Sequence, residues 1–547
     1  MSVALADREH VAPSRSLNGT LLGRLGIGGG AVVAFVGLVT LLYLIGAHIV
    51  TGDSDKATVI LEGHAMAHGN VFLHGWILPL DSFWTEDALL YALLTLVSGL
   101  HTGLLHLGPA IVAAGAIAAG VGFVRSGARG AAAVAGSVTV VALVAFPTIA
   151  NAFFLAGDGY HDSTVLWALL AFWLLREGRF GWSWALGSLS LALAALGDLE
   201  IFDYAIVPIA LAGVVASARR RDWRAGIPHV SAVAAAVVIG EAVRQVMNHF
   251  GGFAVSRGLA LAKPHQALAN VWHIFTYGAD LLVGNRTAFG TGDIPQGLAY
   301  VHMAGAIVFA ACAIAALALL VQGVVRGSRS RADGGTGDER WRLDDMLLIG
   351  LTGPMASFVT QATAGGIGGV RYLAPSVIFG AILAGRMVAR AWPRISSKQA
   401  RTALAGAGLA VVACFAIGIG LYIAQPLRQL RAVPVASWLE QHHLTNGVGD
   451  YWAASIVTVA SRGDVAVRPV NGLVDKRLER IMNQSAAQWF SGQGFQFLLY
   501  NVPVWSGVNT EAAVNTWGQP DRAYQVDGYY VLVYNHPVHV APIAPTH

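Results

Sequence analysis

Eleven apolar runs follow one another along this chain, and arginine recurs in every second loop between them. A helix crosses the hydrocarbon of a bilayer in roughly 20 predominantly apolar residues. The runs begin near residues 28, 104, 131, 164, 183, 203, 227, 298, 344, 372 and 403. If every run crosses, the loops with Arg125 and Arg129, Arg176 and Arg179, Arg219-Arg220-Arg221, Arg326 to Arg342, and Arg390 to Arg401 share one side. Arg8, Arg15 and Arg24 precede the first run and join them. Basic loops stay cytoplasmic. The pattern therefore predicts an all-α polytopic protein of the plasma membrane, with about eleven transmembrane helices and a cytoplasmic N-terminus.

Composition agrees. Apolar residues make up 55% of the chain and charged residues 12%, about half the charge of a soluble domain. The net charge of +4 comes from the arginine loops. No basic face with interleaved aromatics exists, which argues against a nucleic-acid partner and leaves the lipid bilayer as the first one. The first run is long and lacks a following small-residue cleavage site, so it reads as a span rather than a signal peptide. Cys312 and Cys414 lie inside apolar runs without metal-ligand spacing and read as packing residues.

Three regions follow: a cytoplasmic N-terminal tail (1–26), a transmembrane domain (27–424) with long outer loops at 51–103 and 249–299, and a small extracytoplasmic α/β domain (425–547). Within the loops, 57–68 reads as a helix, 87–100 as an interfacial helix and 265–283 as an amphipathic one. In the last region 435–443 reads as a helix. Segments 456–460 and 465–470 read as strands around a Ser461-Arg462-Gly463-Asp464 turn, with further strands at 495–500 and 529–534.

Lipid does not solvate charge, so ionisable groups at membrane depth are functional candidates. Asp53-Ser54-Asp55 directly follows the first run, and Glu62, His64 and His68 come next. A carboxylate fixed at the membrane surface suits a general base for an acceptor hydroxyl. Two carboxylates suit a divalent cation held against a phosphate. The plainer alternative is a helix cap in a solvated loop. The same loop holds Asp81, Glu86 and Asp87. The second outer loop holds Asp158, His161 and Asp162, a metal or phosphate-proximal set or again a cap. The third holds Asp198, Glu200 and Asp203, costly near lipid unless wet or paired. Glu241 and Arg244, three apart, read as a mutually neutralising pair. Arg371-Tyr372 opens the tenth run. A guanidinium fork there suits a phosphate, with an interfacial anchor as the alternative.

Taken in order, these features resemble the GT-C superfamily of membrane glycosyltransferases, which take sugars from polyprenyl-phosphate donors on the non-cytoplasmic face. The resemblance rests on the acid after the first span, the interfacial helix before the second, the further acids of the second outer loop, the late Arg371-Tyr372-Leu373-Ala374-Pro375 pattern and a soluble domain after the last span. It implies a GT-C-like fold, Asp55 or its neighbour Asp53 as catalytic base, and Arg371 with Tyr372 at the donor phosphate. Asp158, His161, Asp162 and Glu62 would serve the acceptor or a metal, with Mg or Mn as the cation such acids admit. Linkage inversion is expected, since no second nucleophilic carboxylate is placed. Two departures stand out. Asp55 is not followed by the Asp-Glu pair of many members. The C-terminal region lacks a Trp-Trp-Asp signature; Asp450-Tyr451-Trp452 is nearest and reads as core, with sugar stacking as the alternative. The Ala, Gly, Val and Arg usage resembles a high-GC actinobacterium, which implies a cell-envelope glycan, lipid or protein as acceptor. Two rival functions are a transporter or flippase of a lipid-linked intermediate, and a non-enzymatic envelope-assembly protein. A transporter needs charges lining the middle of its spans, and here they crowd the outer ends.

Overall fold

The apolar runs become helices. In the computed structural model the described residues are 17–49, 54–158, 161–255, 261–284, 296–326, 336–362, 367–427, 429–473, 476–481, 483–492, 494–501 and 507–540. Helices stand at Leu17–Ile49, Leu104–Gly127, Gly130–Ala145, Asp162–Leu175, Trp182–Gly197, Val207–Arg220, Ile227–His249, Gln296–Arg326, Thr336–Thr360, Ala374–Ala391 and Lys398–Ile423. The expectation of a polytopic helical protein is met, and the count of eleven spans is met in part. Among the described residues seven helices are long and apolar enough to cross, or eight if Gly130–Ala145 and Ile149–Gly157, bent by 78°, form one span. Asp162–Leu175 and Trp182–Gly197 have 14 and 16 residues. They reach only about 21 and 24 Å, short of a hydrocarbon core of about 30 Å. Thr336–Thr360 opens with Asp338, Glu339, Arg340, Arg342, Asp344 and Asp345, too much charge for lipid.

Ala374–Ala391 is the central helix and is buried along almost its whole length. Backbones touch where it meets Gly130–Ala145: a Cβ on Gly136 would stand 2.4 Å from the Gly385 carbonyl oxygen. Small residues permit such approach, which helices in lipid need in place of a hydrophobic driving force.

The two ends of the bundle differ in chemistry. At one end the arginine-bearing loops converge on acids. Arg386 and Arg390 both donate to Asp344, and Arg219 pairs with Asp345 at 2.8 Å. Arg342 donates to the Glu177 carbonyl. Asp344 and Arg386 are both buried, and an uncompensated buried charge is expensive. Asp344→Ala should therefore cost about 3–5 kcal/mol, seen as a lowered unfolding temperature in detergent. A change of less than about 1 kcal/mol, the worth of an exposed pair, would remove this ion cluster from the stability of the bundle.

The other end carries the loops and the C-terminal strands. Helix Ser54–Ala67 packs on Asp87–Ser98, which stops at Gly99 with φ +70°. Six strands form a mixed sheet in the order Leu478–Arg480, Ala466–Gly472, Asn446–Asp450, Phe495–Asn501, Tyr529–Val538, Arg522–Val526. Asn446–Asp450 runs parallel to both neighbours, and the other pairings are antiparallel. The expected helix at 435–443 appears as Ala432–Gln441, and three expected strands appear as Ala466–Gly472, Phe495–Asn501 and Tyr529–Val538. The expected strand at 456–460 is instead the end of helix Tyr451–Ala460. A short apolar run does not distinguish a strand from a buried helix; Asp450 decides it by capping the helix, its side chain accepting from the Trp452 N–H at 2.9 Å.

A second, three-stranded sheet joins the two regions. Trp76–Leu78 pairs in parallel with Ala254–Val255 and antiparallel with Ser485–Ala486.

Candidate active site

A cavity of about 420 Å³ lies between the bundle and the C-terminal sheet. In a sheet with parallel strands, ligands favour the carboxyl ends of strands where the chain order diverges. Asn446–Asp450 is such a strand, with the next strand in sequence on one side and a later one on the other. Its carboxyl end delivers Tyr451 and Trp452 to the cavity, and the end of Ala466–Gly472 delivers Asn471. Ile481, Asn483 and Gln484 complete this wall. The bundle supplies Asp55, Asp81, Phe83, His161, Arg371 and Tyr372.

Asp55 sits in the first turn of Ser54–Ala67. The Tyr451 hydroxyl donates to its carboxylate. The two helices that carry this pair are fastened together, with the Thr58 hydroxyl donating to Ser455 at 2.7 Å. Arg371 and Tyr372 end the 3-10 turn Ile367–Tyr372 that leads into the central helix. The Arg371 guanidinium carbon stands 5.4 Å from the Tyr372 ring centre.

His161 adopts the left-handed conformation, φ +64°, just before helix Asp162–Leu175. That turn aims its ring at the cavity, 5.4 Å from the Tyr372 ring and 5.6 Å from Phe83. The Nδ1–H donates to Asp198 at 2.6 Å. Burial alone would discharge this imidazole; the Asp198 carboxylate overcomes it and raises the pKa to about 9. Asp198 is correspondingly held below the usual carboxylate range against its own burial, by His161 and by the Thr164 hydroxyl. Burial and the Asp198 charge push Asp81 up to about 6. Burial pushes Glu200 up to about 7, although Ser357 and Gln361 donate to it at 2.9 and 2.6 Å. At neutral pH the pair is therefore an imidazolium and a carboxylate, at a cavity that Arg371 also lines.

These shifts fix a pH dependence. The raised histidine contributes stability fully below about 6.5, its unfolded value, and loses it as the pH climbs through about 9. Asp81 and Glu200 are favoured in their neutral forms, so the stability they add at acid pH is lost earlier, as the pH climbs from about 4 through about 6 and 7. The unfolding temperature should fall between pH 6 and pH 9.5. The His161 component amounts to roughly 3 kcal/mol, and His161→Gln should flatten the part above pH 7. A wild-type curve that rises over this range would contradict the assigned ion pair.

The sequence expectations divide. Asp55, His161, Arg371 and Tyr372 meet at one cavity. Asp53 and the Asp158 side chain lie outside the described residues. Asp162 is buried in the first turn of its helix and does not line the cavity. Glu62 is buried in the helix pair, where burial first and Asp87 second push its carboxyl well up; it does not line the cavity either. Among the described residues no three His, Cys, Asp or Glu converge to hold an ion. Tyr451 and Trp452, expected as core, line the cavity, and Trp452 is 50% exposed. Asp81 and the Asp198 pairing went unassigned in the sequence. The signal was present as acids in separate outer loops, but nothing in sequence distance joins Asp81 to Asp198. Glu241 and Arg244 do pair, on an exposed helix face.

No family model and no curated protein matches this chain. Solved structures do. ArnT from Cupriavidus metallidurans in the apo state superposes with TM-score 0.54 at 12% identity, over 92% of this chain and 98% of that one. The same protein bound to undecaprenyl phosphate gives TM-score 0.54 at 14% identity, over 94% and 99%. An Archaeoglobus fulgidus oligosaccharyltransferase matches more loosely, with TM-score 0.43 at 12% identity, over 85% and 69%. At these identities the likeness is one of fold: this chain is similar to ArnT from end to end.

Proposed function

We propose that this protein is a membrane glycosyltransferase of the GT-C type, which moves a sugar from a polyprenyl-phosphate donor to a cell-envelope acceptor on the extracytoplasmic face. The observation that carries the reading is the meeting of Asp55 and Arg371 in one cavity, from opposite ends of the membrane region. The ArnT fold, seen elsewhere with undecaprenyl phosphate bound, supports the donor class.

The acceptor hydroxyl gives its proton to the Asp55 carboxylate, or to that of its neighbour Asp53. Its oxygen attacks the anomeric carbon as the bond from that carbon to the phosphate oxygen breaks, and the electron pair leaves with the phosphate. Attack from the face opposite the leaving group inverts the linkage. Arg371 and the imidazolium of His161 are the cations that meet the charge developing on the phosphate. Asp198 keeps His161 charged at neutral pH. Tyr451 orients the Asp55 carboxylate by its hydrogen bond. Trp452, Asn471, Asn483 and Gln484 offer a stacking face and amides to sugar hydroxyls.

The test is transfer itself. Purified protein in lipid nanodiscs, given a panel of radiolabelled polyprenyl-phosphate sugars and an envelope extract, should release polyprenyl phosphate and label the extract. Release of neither product with any donor, from protein that unfolds cooperatively, rejects the reading.

A further inference from the structure

We propose a second lipid site at the arginine-bearing end of the bundle, for the phosphate headgroup of an anionic glycerophospholipid. A groove of about 520 Å³ opens there between helices Leu104–Gly127 and Gly130–Ala145. Its floor and walls are apolar or small: Val121, Ala133, Val134, Ser137 and Val138. Arg125 and Arg129 stand at this groove, and both are exposed. Three arginines of this end are held by acids, Arg219 by Asp345, and Arg386 and Arg390 by Asp344. Arg125 and Arg129 have no carboxylate partner among the described residues. Two guanidinium groups without a carboxylate partner, beside an apolar slot whose Val134 and Val138 are exposed, fit one chemistry: an anionic headgroup above and an acyl chain below. Basic pockets between spans hold acidic headgroups on this principle, and a guanidinium fork accepts a phosphate in bidentate fashion. The groove is lined by neither Asp55 nor Arg371 and lies at the other end of the bundle from the proposed transfer cavity. It is therefore a separate site, and it stands whether or not the chain transfers sugar.

Native mass spectrometry of the full chain tests it. Protein is delipidated in mild detergent and titrated with phosphatidylglycerol, phosphatidylcholine or undecaprenyl phosphate. One phosphatidylglycerol should stay bound per chain at collision energies that strip phosphatidylcholine. The R125Q/R129Q variant should weaken phosphatidylglycerol binding roughly 10- to 30-fold, from about 1 kcal/mol per arginine. Arg394→Gln, an exposed arginine at the same end that does not line the groove, should leave it unchanged. Equal retention of phosphatidylcholine, or equal loss in the Arg394 variant, would overturn the site in favour of general surface charge. Undecaprenyl phosphate binding that depends on Arg125 and Arg129 while phosphatidylglycerol binding does not would overturn the glycerophospholipid assignment.

Discussion

Asp55→Asn should slow sugar transfer by about 10²–10⁴-fold, the usual worth of a positioned general base, with little change in donor or acceptor KM. The amide keeps the shape of the side chain and still accepts the Tyr451 hydrogen bond, so the site keeps its form while the proton loses its destination. Loss confined to kcat is the signature of an interaction made in the transition state. Single-turnover transfer with saturating donor measures it. Asp53→Asn is the necessary companion: if that variant is slow and Asp55→Asn is not, the base is Asp53, and if both keep full rate, base catalysis from this loop is wrong. Tyr451→Phe should have a smaller effect, roughly 10- to 100-fold, since it removes one hydrogen bond to a charged group, about 1.5–3 kcal/mol.

Arg371→Ala carries the second large effect. A charge-assisted hydrogen bond contributes about 1.5–3 kcal/mol, and a fork that makes two of them to a phosphate should cost roughly 10²–10⁴-fold in kcat/KM when removed. Arg371→Lys should recover only part, because an ammonium is a point charge and does not span two phosphate oxygens. Binding of undecaprenyl phosphate, followed by displacement of a labelled analogue, separates ground-state grip from transition-state help. If Arg371→Lys matches the wild type in both rate and affinity, the guanidinium geometry is not what holds the donor.

Much of this was legible in the chain, for physical reasons that differ by feature. The helices were readable because lipid enforces long apolar runs. The reach of each helix was not, because Asp162–Leu175 and Trp182–Gly197 are short at the site end, where His161 and Asp198 turn the chain toward each other. Asp55 and Arg371 were readable because each stands at the mouth of a run, where a charge needs a reason. The His161–Asp198 pair and Asp81 were not. Their meeting depends on a left-handed turn at His161 and on loop packing that leaves no periodic trace. Tyr451 and Trp452 were misjudged because an aromatic pair before an apolar run is commonly core. Asp450 reverses that by starting a helix there, which leaves Trp452 half exposed at the cavity.

The small sheet of Trp76–Leu78, Ala254–Val255 and Ser485–Ala486 has a consequence for how such a protein can be recombined. Its three strands come from two loops of the bundle and from the C-terminal region, so the seam between the halves is woven across three places in the chain. The bundle and the C-terminal region therefore cannot be exchanged by cutting once after residue 424. A chimera that keeps its fold would have to bring residues 76–78 and 254–255 from the same parent as Ser485–Ala486, and inheritance of the two halves is tied together by that seam.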